Sequence, residues 1–429
     1  MDAEPAHCAL PPIDEEGVRG DFRPLTRRQA LDLPAAVDGQ MAWHDDDSLG
    51  QYVVELTIDD VSEVERALAH FLNLSLDVSE VNPATFPLPN LQGQLTACAL
   101  ELHDGRGICV LRGIDPNHYS DDDNTIIFLG VASHVGDRRG TQTADGDILE
   151  HVYEPAGWAL GRDAHNGIHT NRILPFHNDM GTDLVAFHVR RVAENGGEIN
   201  VASSAAVYNT MMDRDAWAVR EMVAPEWPMR VVQCEAGAAR HELVALLSVE
   251  GERVAMSVDE DRLGPHYTES GVPRLRGVQR DALAVLQSAA GSNGVRIVTQ
   301  AGDIVIFNNW GVMHAEAAYI DRKTSTHHLI RLWLRNERLS WDTPQCMRVA
   351  WDSAFGRHAV DGHRGFAVVP ARDYVAPKSS NGSAGFDGWE DYVVDGDHNC
   401  VFAMDDDNDD NGGDEESRIR PGRECGVEW

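Results

Sequence analysis

Apolar residues recur at helical spacing in Val61 to Leu74, Leu91 to Leu102, Asp121 to Val131 and Leu275 to Ser288. Positions three and four apart share one face of a helix, so each stretch predicts an amphipathic helix. The third opens on an acidic turn, which complements the positive end of the helix dipole. Ala205 to Met212 predicts a shorter helix. Other apolar runs are short, the pattern of strands, and the first ends at a glycine turn. They are Gly107-Ile108-Cys109-Val110-Leu111-Arg112-Gly113, Leu184-Val185-Ala186-Phe187-His188-Val189, and Glu198 to Ala202 after the Gly196-Gly197 turn. Val295 to Val298, Gly302 to Phe307 and His328 to Leu334 complete the set. Met229 to Cys234, Leu243 to Val249 and Arg253 to Val258 read as antiparallel strands joined by tight turns, one at Glu250-Gly251. Many short strands with a few helical insertions predict a mostly β fold: a double-stranded β-helix core (jelly-roll or cupin-like) flanked by helices.

The chain has 429 residues, enough for one elaborated domain or two. Residues 1–85 are expected to form a wrapping segment and a helix, and 86–345 the double-stranded β-helix domain with its helical insertions. Residues 346–375 follow as a C-terminal extension. From 376 to 429 the composition turns to Ser, Asn, Gly and Asp, including the run Asp405 to Asp410, which is a disordered composition. Trp389, Tyr392 and Phe402 leave room there for a short docked segment.

Charge narrows the partners. A net charge of −34 repels phosphate backbones and anionic lipid, so nucleic-acid and membrane-surface partners are not expected. The seven cysteines are scattered with no Cys-x-x-Cys pair, which argues against a disulfide framework and for a reducing compartment. Met1-Asp2-Ala3-Glu4-Pro5 lacks a signal pattern and no apolar run reaches membrane-spanning length. The expectation is a cytoplasmic protein acting on a small molecule; its oligomeric state is not legible.

The chemistry sits in Leu174-Pro175-Phe176-His177-Asn178-Asp179, read with the distant His314. Two imidazoles and one carboxylate cover one face of an octahedral ion and leave three positions for substrate and O2, the arrangement of non-haem Fe(II) oxygenases. His-x-Asp alone is common in a chain with 19 His and 70 acidic residues, and a second copy, His44-Asp45-Asp46, lies in an acidic run that reads as a solvated loop. The copy at 177 differs because apolar residues run into it and a strand pattern follows. His177, Asp179 and His314 are therefore the candidate metal ligands and catalytic centre.

Taken in order, Phe86-Pro87-Leu88-Pro89, Gly105-Arg106-Gly107, Pro175-Phe176-His177-Asn178-Asp179, Gly196-Gly197-Glu198, Gly302-Asp303-Ile304, His314-Ala315 and His328-Leu329-Ile330-Arg331-Leu332-Trp333-Leu334 resemble the taurine/2,4-dichlorophenoxyacetate dioxygenase (TauD/TfdA-like) family, of clavaminate-synthase-like fold. The resemblance spans about Phe86 to Asn336. It implies an Fe(II)- and 2-oxoglutarate-dependent dioxygenase that oxidises a C–H bond of a small molecule with O2, giving succinate and CO2. The cofactor supplies the hard chemistry and the protein positions and shields it.

Three positions depart from the family. His327 stands where an Arg holds the far carboxylate of 2-oxoglutarate, Ile199 replaces a Thr at the same end, and Glu316 stands where an Arg often follows His-Ala. A neutral imidazole cannot grip a carboxylate with the two parallel bonds of a guanidinium. The resemblance then leaves three alternatives: Arg331 takes over, His327 does so protonated, or 2-oxoglutarate binds weakly. Strand positions four apart share a face, so 327 and 331 are expected to point into one pocket. Gln142, Thr170, Asn171 and Trp310 are candidate pocket residues. A second reading is a metal-binding jelly-roll relative without this catalysis, acting as a partner subunit; a third is an iron oxygenase fuelled by its own substrate.

Overall fold

The computed structural model describes residues 33–143, 145–155, 167–230, 241–265, 271–321, 326–356, 364–370, 392–394 and 400–402. Its helices are α1 (Asp46–Leu49), α2 (Ile58–Leu74), α3 (Gln92–Asp104), α4 (Asp121–Ser133), α5 (Ser204–Met222), α6 (Gly277–Ser292) and α7 (Arg348–Phe355). The strands begin with β1 (Val53–Glu55), β2 (Ile108–Arg112), β3 (Arg138–Gly140), β4 (Leu149–Val152), β5 (Leu174–His177), β6 (Leu184–Arg191), β7 (Asn195–Gly196) and β8 (Ile199–Ser203). They continue with β9 (Trp227–Arg230), β10 (His241–Val244), β11 (Leu247–Glu250), β12 (Arg253–Met256), β13 (Val295–Ile297) and β14 (Ile304–Asn308). The last are β15 (Val312–Glu316), β16 (Tyr319–Ile320), β17 (His328–Arg335), β18 (Tyr392–Val394) and β19 (Cys400–Phe402).

Two sheets make the jelly-roll core. The larger runs β1-β2-β14-β6-β17-β3, with β4 also paired to β17; the smaller runs β13-β8-β15-β5. Side-chain alternation assigns each strand residue to a layer. Val185, Phe187 and Val189 of β6 share a core with Phe307, Trp333, Val201 and Val312, drawn from both sheets. Leu184 and Ala186 instead join Ile304, Ile330 and Leu332 in a second core with residues of α2, α3 and α4. Strands covered on both faces are apolar at almost every position, which is why β6 and β17 read as continuous runs. Ala202, Met313 and Ala315 of the smaller sheet pack with residues of α5 and α6.

Local signals set the helix ends. Thr57 and Asp60 form a reciprocal capping box at α2, and Ser120 caps α4 ahead of Asp121, Asp122 and Asp123. The short helix expected at Ala205 to Met212 is longer. Asp213-Arg214-Asp215 breaks the apolar pattern, and the chain kinks at Asp215 (φ −138°, ψ 45°). It then continues helical to Met222, burying Ala218, Val219 and Met222. The strand expected from Met229 to Cys234 is seen as β9, and its end lies outside the described residues, as do residues 1–32 and most of the acidic tail. Within that tail Tyr392 and Phe402 are paired opposite each other in β18 and β19.

Candidate metal centre

His177 ends β5 and His314 lies at the middle of β15; the two are direct partners across the antiparallel pair. Directly opposed residues project from the same face of a sheet, so pairing alone brings the imidazoles together. Their ring centroids are 4.1 Å apart. Asp179, two residues beyond the strand, turns back so that His177 Nε2 and Asp179 Oδ1 are 4.0 Å apart. One ligand atom from each of His177, Asp179 and His314 lies within 4.8 Å of the others, and all three residues are buried. Among the described residues this is the group so arranged; His44 and Asp45 of the second His-x-Asp are exposed.

The surroundings fix how each ligand is presented. His177 Nδ1 is 2.9 Å from the Pro175 carbonyl oxygen, which can only accept, so Nδ1 carries the hydrogen and Nε2 offers its lone pair. His314 lies beside the Phe307 ring, 4.9 Å between centroids, and its buried Nδ1 has no hydrogen-bond partner among the described residues. Trp333 Nε1 donates to Asp179 Oδ2 at 2.7 Å and Arg331 donates to Oδ1 at 2.9 Å. Asn309 accepts from the Asp179 N–H at 2.9 Å and donates to the carbonyls of Asp179 and Thr182, both at 2.7 Å. Asn178 Nδ2 donates to the Asn309 carbonyl at 2.6 Å. These bonds staple the ligand loop to the turn before β15.

Burial pushes the His177 imidazole below its usual pKa, against the pull of Asp179. Burial, with His177 and Arg331 adding to it, pushes His314 well below. Neutral imidazoles are what a metal requires. Burial works against the Arg331 charge, but Asp179, Glu150 and Glu316 outweigh it and raise its pKa. Burial lifts Glu150 to about 7, opposed by Arg331, and lifts Glu316 to about 7 as well. Two neutral imidazoles, one braced carboxylate and an unpartnered ring nitrogen fit a divalent first-row ion such as Fe(II).

The other expected site residues are placed differently. Arg331, expected to face a cosubstrate carboxylate, is turned to the protein itself: 2.9 Å from Asp179, 2.7 Å from Glu150 and 2.9 Å from Gln142 Oε1. Gln142, expected in the pocket, is bonded to the protein. It is fully buried and donates to the carbonyls of Ile148 at 2.6 Å and Arg331 at 2.9 Å, bracing the guanidinium. His327 lies just before β17, whose register against β6 shifts between His328 and Leu329. Its ring lies on Tyr319, 4.3 Å between centroids. Burial holds His327 neutral, with a pKa of about 4. Trp310 belongs to a packing cluster with Ala255, Trp341 and Met347. Thr170 Oγ1 donates to the Gly167 carbonyl at 2.8 Å, and the Asn171 carbonyl accepts from Tyr319 N–H at 3.2 Å, so both serve the turn before β5.

Trp333, Asn309 and Glu150 were not legible as site residues. Trp333 had a usable signal, since it lies two residues from Arg331 on one strand and so shares its face. Glu150 had none, because its role depends on loops meeting in space. A shallow cleft lined by Leu174, Pro175, Phe176, His177, Asp259 and Asp261 reaches the centre. A surface cavity of about 380 Å³ lined by Glu250, Arg253 and Trp341 contains none of the ligands and is separate from the chemistry.

With fold and centre in view, the class is defined. The chain matches the taurine catabolism dioxygenase TauD, TfdA family over residues 73–333, and it belongs to that family. It is an oxidoreductase, an Fe(II)- and 2-oxoglutarate-dependent dioxygenase that draws on Fe(II), 2-oxoglutarate and O2. It is 30% identical over 359 residues to a taurine hydroxylase-like protein, SAT17, of Stachybotrys chartarum, covering 80% of this chain and 91% of that one. It is 23% identical over 322 residues to FR-33289 synthase of Streptomyces rubellomurinus, covering 71% and 92%. Among solved structures, asparagine oxygenase with Fe(II), 3-hydroxyasparagine and succinate superposes with a TM-score of 0.52 at 16% identity, covering 67% of this chain and 95% of that one. The non-haem iron oxygenase OrfP with Fe and alpha-ketoglutaric acid gives 0.51 at 16% identity, with the same coverage. Both likenesses show the fold. Among the described residues no helix is long and apolar enough to cross a membrane.

Proposed function

We propose that His177, Asp179 and His314 hold one Fe(II), and that the protein oxidises a C–H bond of a small organic molecule, by hydroxylation or a related outcome. Succinate and CO2 are the coproducts. The observation that supports this most directly is the convergence of three ligand atoms within 4.8 Å, with the remaining polar atoms of His177 and Asp179 already engaged by the protein. Iron with 2-oxoglutarate and O2 supplies the oxidising power there.

The residues of the chain do the rest. The Pro175 carbonyl holds His177 in its ligand tautomer. Trp333 and Arg331 orient Asp179 and offset its charge, so the carboxylate meets the ion in one pose. Phe187 and Phe307 flank His314 and keep water from that side of the centre. The relatives are named for taurine and asparagine chemistry, so those compounds head the substrate panel.

The test is to supply the protein with Fe(II), O2 and 2-oxoglutarate labelled at C1, and to measure labelled CO2 and succinate with and without the panel. Release above the protein-free rate, lost in Asp179→Ala, is the expected result. Iron bound stoichiometrically with no succinate formed would overturn the reading.

A further inference from the structure

The segment after β12 is clamped to the loop that carries the metal ligands. Asn178, between His177 and Asp179, donates its N–H to the Val258 carbonyl at 2.7 Å, and its Oδ1 accepts from the Val258 N–H at 3.4 Å. Arg262 donates to the Met180 carbonyl at 2.8 Å. Asp259 is held between these two ties, and it lines the cleft that reaches His177 together with Leu174, Phe176 and Asp261. It is 3% exposed. Its Oδ1 accepts from the Asp261 N–H at 3.1 Å, and its buried Oδ2 has no hydrogen-bond partner among the described residues.

A buried carboxylate oxygen without a donor is costly to keep. Burial, with Asp261 adding to it, raises Asp259 well above the usual carboxylate range, and burial lifts Asp261 to about 7. Carboxyls in this condition are the ones that an arriving positive charge stabilises most. The neighbouring guanidinium groups bond main-chain carbonyls, Arg262 those of Met180 and Arg230, and Arg230 that of Gly264. Glu260 accepts from Gln287 at 2.8 Å. Among the described residues the ligand atoms that converge closely enough for a metal belong to His177, Asp179 and His314, so Asp259, Glu260 and Asp261 do not form a metal cage of their own. The cleft holds a volume of about 20 Å³, room for one water-sized group. An ammonium group has that size, and a planar guanidinium does not. Leu174 and Phe176 offer apolar surface to the methylenes behind it. We propose that the substrate is a small primary amine whose ammonium group seats on Asp259 beside Asp261, with its carbon chain against Leu174 and Phe176. The inference deepens the iron-site reading above and rests on it for the oxidation that follows binding.

The test uses pairs of compounds that differ only in the ammonium group: taurine with isethionate, 4-aminobutanoate with pentanoate, and L-ornithine with L-norleucine. Each is titrated anaerobically into the Fe(II)-loaded full-length protein and read by calorimetry. In at least one pair the ammonium compound is expected to bind at least about tenfold tighter, and Asp259→Asn to bring the two members within about twofold. No difference within any pair, including no binding of any member at millimolar concentration, overturns the inference. A difference that survives in a folded Asp259→Asn protein also overturns it, and if that variant does not fold, the wild-type pairs decide. Equal binding of ammonium chloride or potassium chloride alone would show an inorganic cation site instead. The titrations contain no 2-oxoglutarate or O2, so their failure leaves the iron-site reading standing. Discrimination within a pair without succinate formation would remove the iron-site reading and leave the ammonium seat.

Discussion

Trp333 Nε1 donates to Asp179 Oδ2 at 2.7 Å, so one indole hydrogen sets the pose of the carboxylate that completes the metal triad. The bond runs from the larger sheet to the loop beyond β5 and ties the two halves of the core together at the site. Trp333→Phe keeps most of the packing and removes the donor. Outer partners of ligand groups commonly account for 10- to 100-fold in metal affinity. Anaerobic Fe(II) titration of the variant is expected to show a loss of about that size, with the fold retained by circular dichroism. Unchanged affinity would show that Arg331 alone orients Asp179.

Arg331 neutralises two carboxylates at once, Asp179 and Glu150, in a fully buried setting. Removing one partner of a buried ion pair leaves an uncompensated charge and costs about 3–5 kcal/mol. Arg331→Met is therefore expected to destabilise the metal-free protein by about that amount in urea denaturation. A guanidinium whose task is to hold cosubstrate would leave the metal-free stability nearly unchanged, so the measurement separates the two roles.

Much of the architecture was readable because it follows from periodicity. The runs at Leu184 to Val189 and His328 to Leu334 became central strands, and the Leu91, Asp121 and Leu275 helices formed within a few residues of their expected ends. The convergence of His177, Asp179 and His314 was readable because ligand chemistry restricts residue type. The bonds that Gln142 and Arg331 make to the protein were not readable, for a shared reason. Type and position say that a buried cation needs an anion, but not which anion, and here the anions are Asp179 and Glu150 of the protein itself. The stacking of His327 on Tyr319 leaves no mark in composition.

His188 gives a pH prediction independent of the metal. It is buried beside Phe128, its Nδ1 has no partner among the described residues, and burial, with Arg190 adding, lowers its pKa to about 3. Between about pH 3 and 6.5 the unfolded chain therefore binds a proton at this residue that the folded chain does not, and stability falls as pH falls through that window. His188→Leu removes the linkage. Relative to wild type, the variant is expected to gain about 1.4 kcal/mol for each pH unit lowered between 6 and 4. Urea denaturation at several pH values checks this, and a constant difference between the two proteins would contradict it.

The most direct test of the account is anaerobic calorimetric titration of Fe(II) into the metal-free protein and into His177→Ala and His314→Ala. One ion per chain in the wild type, with binding lost or weakened at least 100-fold in both variants, is the predicted result. Equal iron binding in all three proteins would contradict the assignment of His177, Asp179 and His314 as the metal centre.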